Sequence, residues 1–344
     1  MEQQDILSMT LPELQAAVQE LGEPKFRAKQ IFNWLHQKRV TDFSEMTTLS
    51  LPFRERLASD FCINRLKIAK RLASSVDDTV KYLYELPDGN YVETVCMQYH
   101  HGTSLCISTQ VGCRMGCRFC ASAIAGFVRN LTPAEMLLQI YETERAQNCK
   151  ISSLVLMGIG EPLDNFDNVL RFLQLLSEPN GYGMSLRHVT VSTCGVVPKI
   201  LELAEQRLGL TLSVSLHCPN DAGRSAIMPI NRSYPIDVLL DACQTYFEKT
   251  GRRVTFEYAV MEQVNSAEQD AAALAERLKG LHAHVNLIPI NPVKERNFHT
   301  LKKTVLQFQK TLERYGIPAT IRRTLGSDIE AACGQLRRDA IQQT

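Results

Sequence analysis

The stretch that decides the fold is residues 105–120, LCISTQVGCRMGCRFC. The apolar run 105–109 predicts a short β-strand, and a loop with three closely spaced cysteines follows it directly. These are Cys113, Cys117 and Cys120, in a Cys-x3-Cys-x2-Cys arrangement. In parallel α/β sheets, functional residues collect at the carboxyl ends of strands. The loop therefore places three potential metal ligands where such a sheet would use them.

The rest of the chain alternates between strand-like and helix-like segments. The predicted strands cover residues 105–109, 152–157, 188–193, 211–217, 252–260, 284–290 and 318–324, and segments of helical periodicity separate them. The strands are continuous apolar runs, which is typical of a parallel sheet covered by helices. The pattern predicts an α/β fold built from βαβ units.

Two segments of different predicted structure precede this alternation. Residues 1–70 read as helical: Thr10 and Glu13 form a capping box, and Leu14 and Val18 continue an apolar stripe. From residue 67 the sequence becomes strand-like, with a hairpin turn signal at 87–90. We predict a helical domain at the amino terminus and a β-hairpin that links it to the α/β region.

Composition narrows the class of protein. The 344 residues are 44% hydrophobic and carry a net charge of +1, which argues against a strongly basic, non-specific nucleic-acid binder. No apolar run approaches the roughly 18 residues of a membrane span, and the start of the chain lacks a secretory signal. We expect a cytoplasmic protein with no membrane partner and, by default, a monomer.

One local basic stretch runs from residue 24 to 41 without an acidic side chain. Its basic residues are Lys25, Arg27, Lys29, His36, Lys38 and Arg39. A solvated helix flank and a phosphate-binding face are both compatible with this pattern.

The eleven cysteines are odd in number and unevenly spaced, which fits a disulfide framework poorly. A structural zinc site would need a fourth ligand, and His100 and His101 precede the strand, at its wrong end. A redox pair would use only Cys117 and Cys120 and would leave Cys113 unexplained. Three thiolates on a cubane iron–sulfur cluster leave one iron open to a substrate, and the spacing favours this interpretation.

The loop carries a family resemblance. Cys-x3-Cys-x2-Cys with an aromatic residue, Phe119, before the last cysteine resembles the signature of the radical S-adenosylmethionine (SAM) superfamily, which implies a partial (βα)6 barrel. The motifs LCISTQVGC, MGIGEPLDN, VTVSTCGVVPKI, SLHCPND, IMPINRSYPI, HVNLIPIN and DIEAACGQLR are similar to those of the RlmN family. The resemblance implies a radical SAM methyltransferase that acts on carbon 2 of adenosine in 23S rRNA and tRNA.

The resemblance also assigns the cofactor site. It implies that Cys113, Cys117 and Cys120 hold a 4Fe-4S cluster. The SAM contacts it implies are Gly160, Glu161, Ser192, Ser215, His217 and Asn291. An ammonium group needs a carboxylate and carbonyl oxygens, and a glycine lets the backbone approach closely, so a Gly-Glu turn suits the SAM amino group.

Three further residues carry catalytic roles by resemblance. Cys333 matches the cysteine that is itself methylated, and Cys106 matches its partner, which takes the carbon-2 proton and forms a disulfide with Cys333. Glu93 matches a position that the family marks as a proton acceptor, although a half-exposed strand glutamate is the alternative. The cycle implies two SAM molecules per turnover and an electron donor such as flavodoxin or ferredoxin.

The predicted organisation has four parts. Residues 1–70 form a helical accessory domain suited to RNA docking, and 71–103 form the β-hairpin linker. Residues 104–325 form the barrel, and 326–344 form the segment that carries Cys333. Charge reversal at Lys25, Arg27 and Lys29 tests the docking role, and Arg322 and Arg323 are further candidates for RNA contacts.

Alternatives remain at this point. The related Cfr family methylates carbon 8, and its members tend to have Gly-Glu-Ala where this chain has Gly-Glu-Pro at 160–162, which favours carbon 2. A non-catalytic iron–sulfur or zinc protein that binds RNA is a more distant alternative. Cys194 and Cys218 stand where the RlmN family more usually has Ser and Ala. The cysteines given no role are Cys62, Cys96, Cys149, Cys194, Cys218 and Cys243.

Overall fold

A computed structural model describes residues 3–124, 126–290, 298–329, 336–337 and 340. The strands are β1 (Gln4–Asp5), β2 (Phe61–Cys62), β3 (Lys67–Ala73), β4 (Val80–Glu85), β5 (Tyr91–Tyr99), β6 (Gly102–Cys106), β7 (Gln110–Gly112), β8 (Phe127–Asn130), β9 (Ile151–Leu156), β10 (Val189–Thr193), β11 (Thr211–Ser215), β12 (Val254–Val260), β13 (Ala283–Pro289) and β14 (Ala319–Ile321).

The α-helices are α1 (Leu11–Glu20), α2 (Phe26–Asn33), α3 (Leu51–Asp60), α4 (Pro133–Gln147), α5 (Phe166–Ser177), α6 (Val197–Glu205), α7 (Asp221–Ile227), α8 (Ile236–Thr250), α9 (Glu268–Leu278) and α10 (Lys302–Arg314). Short 3-10 helices cover Ile6–Ser8, Phe43–Glu45, Ala121–Ala123, Pro162–Asn165, Leu186–His188, Pro229–Arg232 and Ser327–Ile329, and a π-helical turn, Trp34–Lys38, continues α2.

The main sheet confirms the predicted α/β fold. Its strand order is β14-β13-β12-β11-β10-β9-β6-β5-β4-β3. From β6 through β9 to β14 every neighbouring pair is parallel, as the strand–helix alternation predicts. Within the described residues β14 and β3 are edge strands, so the sheet does not close on itself.

The region predicted as a linking hairpin is part of this sheet. β4 and β5 form the predicted antiparallel hairpin, and β5 in turn pairs antiparallel with β6. The predicted boundaries at 70/71 and 103/104 fall inside β3 and β6. The antiparallel strands therefore extend the parallel sheet at one edge.

The helical region at the amino terminus packs on α4 and α5. The predicted capping box is confirmed, since the backbone N–H of Thr10 donates to Glu13 at 2.8 Å. Arg171 on α5 forms an ion pair with Glu13 at 2.5 Å. One continuous apolar core includes residues of this region, such as Phe32, together with the helices and strands of the main sheet.

The prediction that His36 contributes to a basic face is wrong. Its side chain is fully buried, and Nδ1 lies 2.9 Å from the hydroxyl of Tyr141 on α4. Burial lowers the pKa of His36 to about 3, so the imidazole is neutral. Arg39 is ion-paired with Glu144, which also reduces the free charge of the stretch. Lys25, Lys29 and Lys38 are exposed as expected.

In the part of the chain that the structure describes, no helix combines the length and the apolar character needed to cross a membrane.

Candidate active site

A cavity of about 340 Å³ lies at the carboxyl ends of the parallel strands. Most of the residues predicted for the catalytic and cofactor site line this cavity. They are Cys106, Cys113, Cys117, Cys120, Gly160, Glu161, Ser192, Ser215 and His217. Strand ends that are far apart in sequence meet here because a parallel sheet places all its carboxyl ends on one edge.

The loop with the three cysteines is fixed at both ends and in its middle. β7 and β8 pair antiparallel on either side of it, and Cys113 N donates to Gly126 O at 3.2 Å. The side chain of Arg114 forms an ion pair with Asp164 at 2.9 Å. Arg118 N donates to Ile227 O at 2.9 Å, which attaches the loop to the end of α7.

The three cysteines of the loop all line the cavity. Burial raises the pKa of Cys113 to about 12 and that of Cys117 still further, so bound iron would have to displace their protons. Among the described residues, no three His, Cys, Asp or Glu side chains converge on a point where one metal ion could bind. In a cubane cluster each thiolate binds a different iron, so three cluster ligands do not converge on one point.

The buried carboxylate of Glu161 can bind a positively charged group in the cavity. Its Oε2 accepts a hydrogen bond from Cys194 N at 2.7 Å, and Oε1 accepts one from Leu163 N at 3.0 Å. Burial raises the pKa of Glu161. Within the described ranges no lysine or arginine forms an ion pair with it. An ammonium group bound in the cavity would supply the missing positive charge, so this site fits the amino group of SAM.

Gly160 is required by its surroundings. Its φ of +110° is a conformation that L side chains rarely adopt, and a Cβ there would lie 2.6 Å from the Cβ of Gln110. Gln110 joins the cysteine loop to this turn, because its Oε1 accepts from Glu161 N at 2.9 Å. The backbone turn that presents Glu161 thus depends on a glycine.

His217 is held as a neutral, oriented imidazole. Burial, with a smaller effect of the Arg224 charge, lowers its pKa to about 3. Its Nδ1 accepts a hydrogen bond from Ala259 N at 2.9 Å, which makes Nε2 the protonated nitrogen. The ring packs edge-on against Phe119, with centroids 4.7 Å apart. His217 also has a φ of +57°, a left-handed backbone conformation that is uncommon for a non-glycine residue.

Cys106 ends β6 at the cavity wall. It is paired with Val95 on β5 and with Val155 on β9, and its side chain is buried. Val95, Met97 and the partly buried Leu325 pack around it. The second predicted catalytic cysteine, Cys333, and the predicted SAM contact Asn291 lie outside the described residues.

Glu93 is fully buried rather than half-exposed. It forms an ion pair with Lys81 at 2.9 Å, and its Oε1 accepts a hydrogen bond from Arg337 N at 2.8 Å. The other described residues that are predicted as catalytic, cluster-binding or SAM-binding all line the cavity, but Glu93 does not. Its role as a proton acceptor stays a prediction.

Four further charged residues lie at or beside the cavity, although the sequence analysis does not predict them for this site. Glu257 on β12 lines the cavity, accepts a hydrogen bond from Ser213 at 2.7 Å, and has its pKa raised by burial. Arg322 and Arg323, predicted as RNA contacts, follow β14 and also line the cavity. Arg224 on α7 is fully buried beside it. Glu257 was discoverable from its place in a strand that otherwise reads as apolar.

Comparison with known proteins places these features in a family. The model "Ribosomal RNA large subunit methyltransferase N-terminal domain" matches residues 4–63, and the radical SAM superfamily model matches residues 107–275. The curated relative "Probable dual-specificity RNA methyltransferase RlmN" of Lachnoclostridium phytofermentans is 50% identical over 99% of this chain and 96% of its own. The protein of the same name in Alkaliphilus oremlandii is 50% identical over 99% of this chain and 100% of its own.

A solved structure agrees with the sequence comparison. The crystal structure of a radical SAM methyltransferase from Sphaerobacter thermophilus is 40% identical, with a TM-score of 0.92 over 96% of this chain and 98% of that one. Likeness at this level covers the helical region, the mixed sheet and the cavity together. The chain therefore belongs to the RlmN family of methyltransferases, within the radical SAM superfamily.

Proposed function

We propose that this protein methylates carbon 2 of adenosine in 23S rRNA and in tRNA, with Cys333 as the carrier of the methyl group. The observation that carries the proposal is the shared cavity: Cys106 lies in the same wall as the three cysteines of the loop and Glu161. The relatives' name, dual-specificity RNA methyltransferase, supports RNA as the substrate.

The cofactors fit the residues present. When bound, the 4Fe-4S cluster and SAM supply a methyl group and a 5′-deoxyadenosyl radical, and we propose two SAM molecules per turnover. Cys113, Cys117 and Cys120 would hold the cluster. Glu161, with the close backbone approach at Gly160, would hold the ammonium group of SAM, and the Nε2–H of His217 is free to donate to a bound polar group.

Two cysteines are needed because carbon 2 of adenine is electrophilic and offers no nucleophile for an ordinary displacement on SAM. The methyl group carried on Cys333 would lose one hydrogen atom to the 5′-deoxyadenosyl radical, and its carbon would then bond to carbon 2 as a covalent protein–RNA adduct. Cys106 would take the carbon-2 proton, and its disulfide with Cys333 would replace the bond between the Cys333 sulfur and the transferred carbon. That carbon would gain a proton to complete the methyl group, the one electron left over would return to the bound cofactor, and the methylated RNA would be released. Thiols have the acid–base and redox chemistry that both steps require.

The described residues after β14 support a position of Cys333 near the cavity. Leu325 lines the cavity, and Asp328 accepts hydrogen bonds from Ser74 at 2.6 Å and Ser75 at 2.7 Å. On the other side of Cys333 in the sequence, Arg337 N is bonded to Glu93.

The RNA would dock on the helical region at the amino terminus. Lys25 and Lys29 are exposed, and Phe26 between them is 55% exposed. Phosphate contacts fix position, and a target base must leave its stack to reach an enclosed site. We further propose an electron donor such as flavodoxin or ferredoxin, a monomeric enzyme and a cytoplasmic location.

Trapping of the covalent protein–RNA adduct tests the proposed roles of the two cysteines. Protein with the substitution Cys106→Ala, reconstituted anaerobically with cluster, SAM and reductant, should accumulate RNA attached through Cys333. Mass spectrometry of nuclease-treated peptides locates the attachment. The matched control is Cys149→Ala, since Cys149 is a partly exposed cysteine outside the cavity wall. Absence of an adduct from cluster-loaded Cys106→Ala protein would contradict the mechanism.

A further inference from the structure

Arg224 on α7 is a fully buried cation whose hydrogen-bond partners are all uncharged oxygens. Its Nη2 donates to the carbonyl groups of Cys194 at 2.7 Å and Ser215 at 3.0 Å. Its Nε donates to Leu216 O at 3.2 Å, and Nη1 donates to Asn231 Oδ1 at 2.9 Å. One guanidinium thus joins the chain ends that follow β10 and β11.

These bonds reach the SAM-binding residues. Cys194 accepts from Arg224 through its carbonyl and donates through its N–H to Glu161 at 2.7 Å. Ser215, also bonded to Arg224, lines the cavity. Gly195, the residue after Cys194, has a φ of +106°, and a Cβ there would lie 3.2 Å from Arg224 Nη2. The guanidinium therefore fixes the backbone of Cys194, whose N–H in turn fixes the carboxylate of Glu161.

The charge of Arg224 lacks a carboxylate partner among the described residues. Asp221, one turn earlier on α7, uses its Oδ1 to accept from Asn231 Nδ2 and Ile236 N, both at 2.9 Å. A guanidinium keeps its proton in a protein, and an uncompensated buried charge is costly. The compensating negative charge should therefore come from a group that binds in the cavity.

The cysteine loop packs against the end of α7, the helix that carries Arg224, and can supply negative charge there. Arg118 N donates to Ile227 O at the end of α7, and Cys117 packs in the apolar cluster formed by Cys194, Ile227 and neighbouring side chains. Because this cluster also contains Cys194, whose carbonyl accepts from Arg224, a thiolate at Cys117 would lie near the guanidinium and be stabilised by its charge.

We propose that Arg224 is a positioning residue of the radical SAM site: its hydrogen bonds fix the backbone that holds SAM, and its charge balances the thiolates of the cluster. The inference rests on the proposed cofactors but not on the RNA substrate. A positive charge beside the cluster favours the reduced form, which is the more negative one. Arg224 thus raises the reduction potential of the cluster.

Two substitutions separate charge from geometry. Arg224→Lys keeps the charge but loses the planar set of donors, and Arg224→Gln keeps a donor but loses the charge. The matched control is Arg232→Gln, which removes the same charge from an exposed arginine after α7. Full-length protein is reconstituted anaerobically. The cluster midpoint potential is measured by a redox titration followed by electron paramagnetic resonance, and SAM affinity by equilibrium dialysis with labelled SAM.

We expect SAM to bind about tenfold more weakly to both Arg224 variants, because hydrogen bonds from a charged donor are lost. In Arg224→Gln the ratio of reduced to oxidised cluster at a fixed potential should fall about tenfold, which is 59 mV for one electron. Arg224→Lys should keep the wild-type potential, and Arg232→Gln should keep both properties.

Wild-type SAM affinity in Arg224→Lys would overturn the positioning role, and this variant decides the point even if Arg224→Gln fails to fold. An unchanged potential in cluster-loaded Arg224→Gln would overturn the charge-balancing role. Both measurements omit RNA. If the expected shifts appear in protein that cannot methylate RNA, the proposed substrate is wrong while the role of Arg224 stands.

Discussion

The carboxylate of Glu93 lies 2.9 Å from the ammonium group of Lys81, and both side chains are almost fully buried. The pair joins β4 to β5, and Glu93 also accepts a hydrogen bond from Arg337 N. A residue predicted as a proton acceptor is thus part of an internal ion pair that holds the chain beyond Cys333. Its stability and its chemistry can be tested separately.

Removal of one partner of this pair should destabilise the protein strongly. Lys81→Met removes the ammonium group that lies beside the buried carboxylate of Glu93, which costs about 3–5 kcal/mol of unfolding free energy. The double variant with Lys81→Met and Glu93→Gln should regain most of the unfolding free energy that Lys81→Met loses. Denaturant unfolding of the apoprotein measures both changes.

The exposed pair Lys199–Glu202 is the control, and Lys199→Met should cost no more than about 1 kcal/mol. A small effect of Lys81→Met would contradict the importance of this ion pair for stability. If the folded double variant still methylates RNA, Glu93 is not required as a proton acceptor.

Replacement of Gly160 should abolish SAM binding without preventing folding. In Gly160→Ala the new Cβ would approach the Gln110 side chain to 2.6 Å, so the turn that carries Glu161 must move. Gly183→Ala is matched, since Gly183 has a φ of +74° but no atom within 4 Å of the added Cβ. Both variants place a side chain at positive φ, which costs about 1–3 kcal/mol. Only Gly160→Ala should lose SAM affinity in equilibrium dialysis; an equal loss in both would contradict the role of the contact.

Protonation of His36 should weaken the fold as the pH falls. The folded-state pKa of His36, about 3, lies below its unfolded value of about 6.5. The neutral form is therefore favoured by folding, and this contribution is complete above pH 6.5 and is lost as the pH falls toward 3. The slope is at most about 1.4 kcal/mol per pH unit.

His36→Gln provides the comparison, because it keeps a polar group near Tyr141 but cannot titrate. His217 titrates in the same window, so the difference between the wild type and His36→Gln isolates His36. Unfolding free energies at pH 7 and 5 should differ more in the wild type. Equal differences would show that His36 does not couple folding to pH.

Charge reversal on the exposed lysines should weaken RNA binding. The double substitution Lys25→Glu and Lys29→Glu removes two positive charges beside Phe26. The affinity for an rRNA fragment should fall, and the slope of log affinity against log salt should decrease by roughly 0.7 per lost phosphate contact. Lys279→Glu, at an exposed lysine after α9, is the control. Unchanged affinity and salt slope would place RNA docking elsewhere.

Much of the site could be predicted because its residues follow strand ends. Ser192 and Ser215 are sequence neighbours of the carboxyl ends of β10 and β11, and the parallel sheet brings those ends together. The cysteine loop follows β6 in the same way. Local spacing is enough for such residues, since the fold class alone determines where they meet.

The remainder depends on contacts that sequence order does not reveal. Arg224 contacts Cys194, which lies 30 residues away in the sequence. Its helix α7 is short, with Asn220 as the N-cap and Gly223 inside it, so the sequence pattern does not predict a helix there. His36 lies four residues after Phe32, on the buried side of its helical turn, and a reading by charge alone could not detect this. The β3–β5 strands look like a linker in sequence, although their hydrogen bonds make them part of the main sheet.

The most direct test of the central claim is anaerobic turnover with methyl-deuterated SAM and an rRNA fragment, comparing the wild type with Cys333→Ala by mass spectrometry of the nucleosides. We expect deuterium-labelled 2-methyladenosine from the wild type and none from the variant. Label on carbon 8 would contradict the proposed position. Equal 2-methyladenosine from both proteins would contradict Cys333 as the methyl carrier, and no methylated RNA from cluster-loaded wild type with a competent reductant would contradict the proposed function itself.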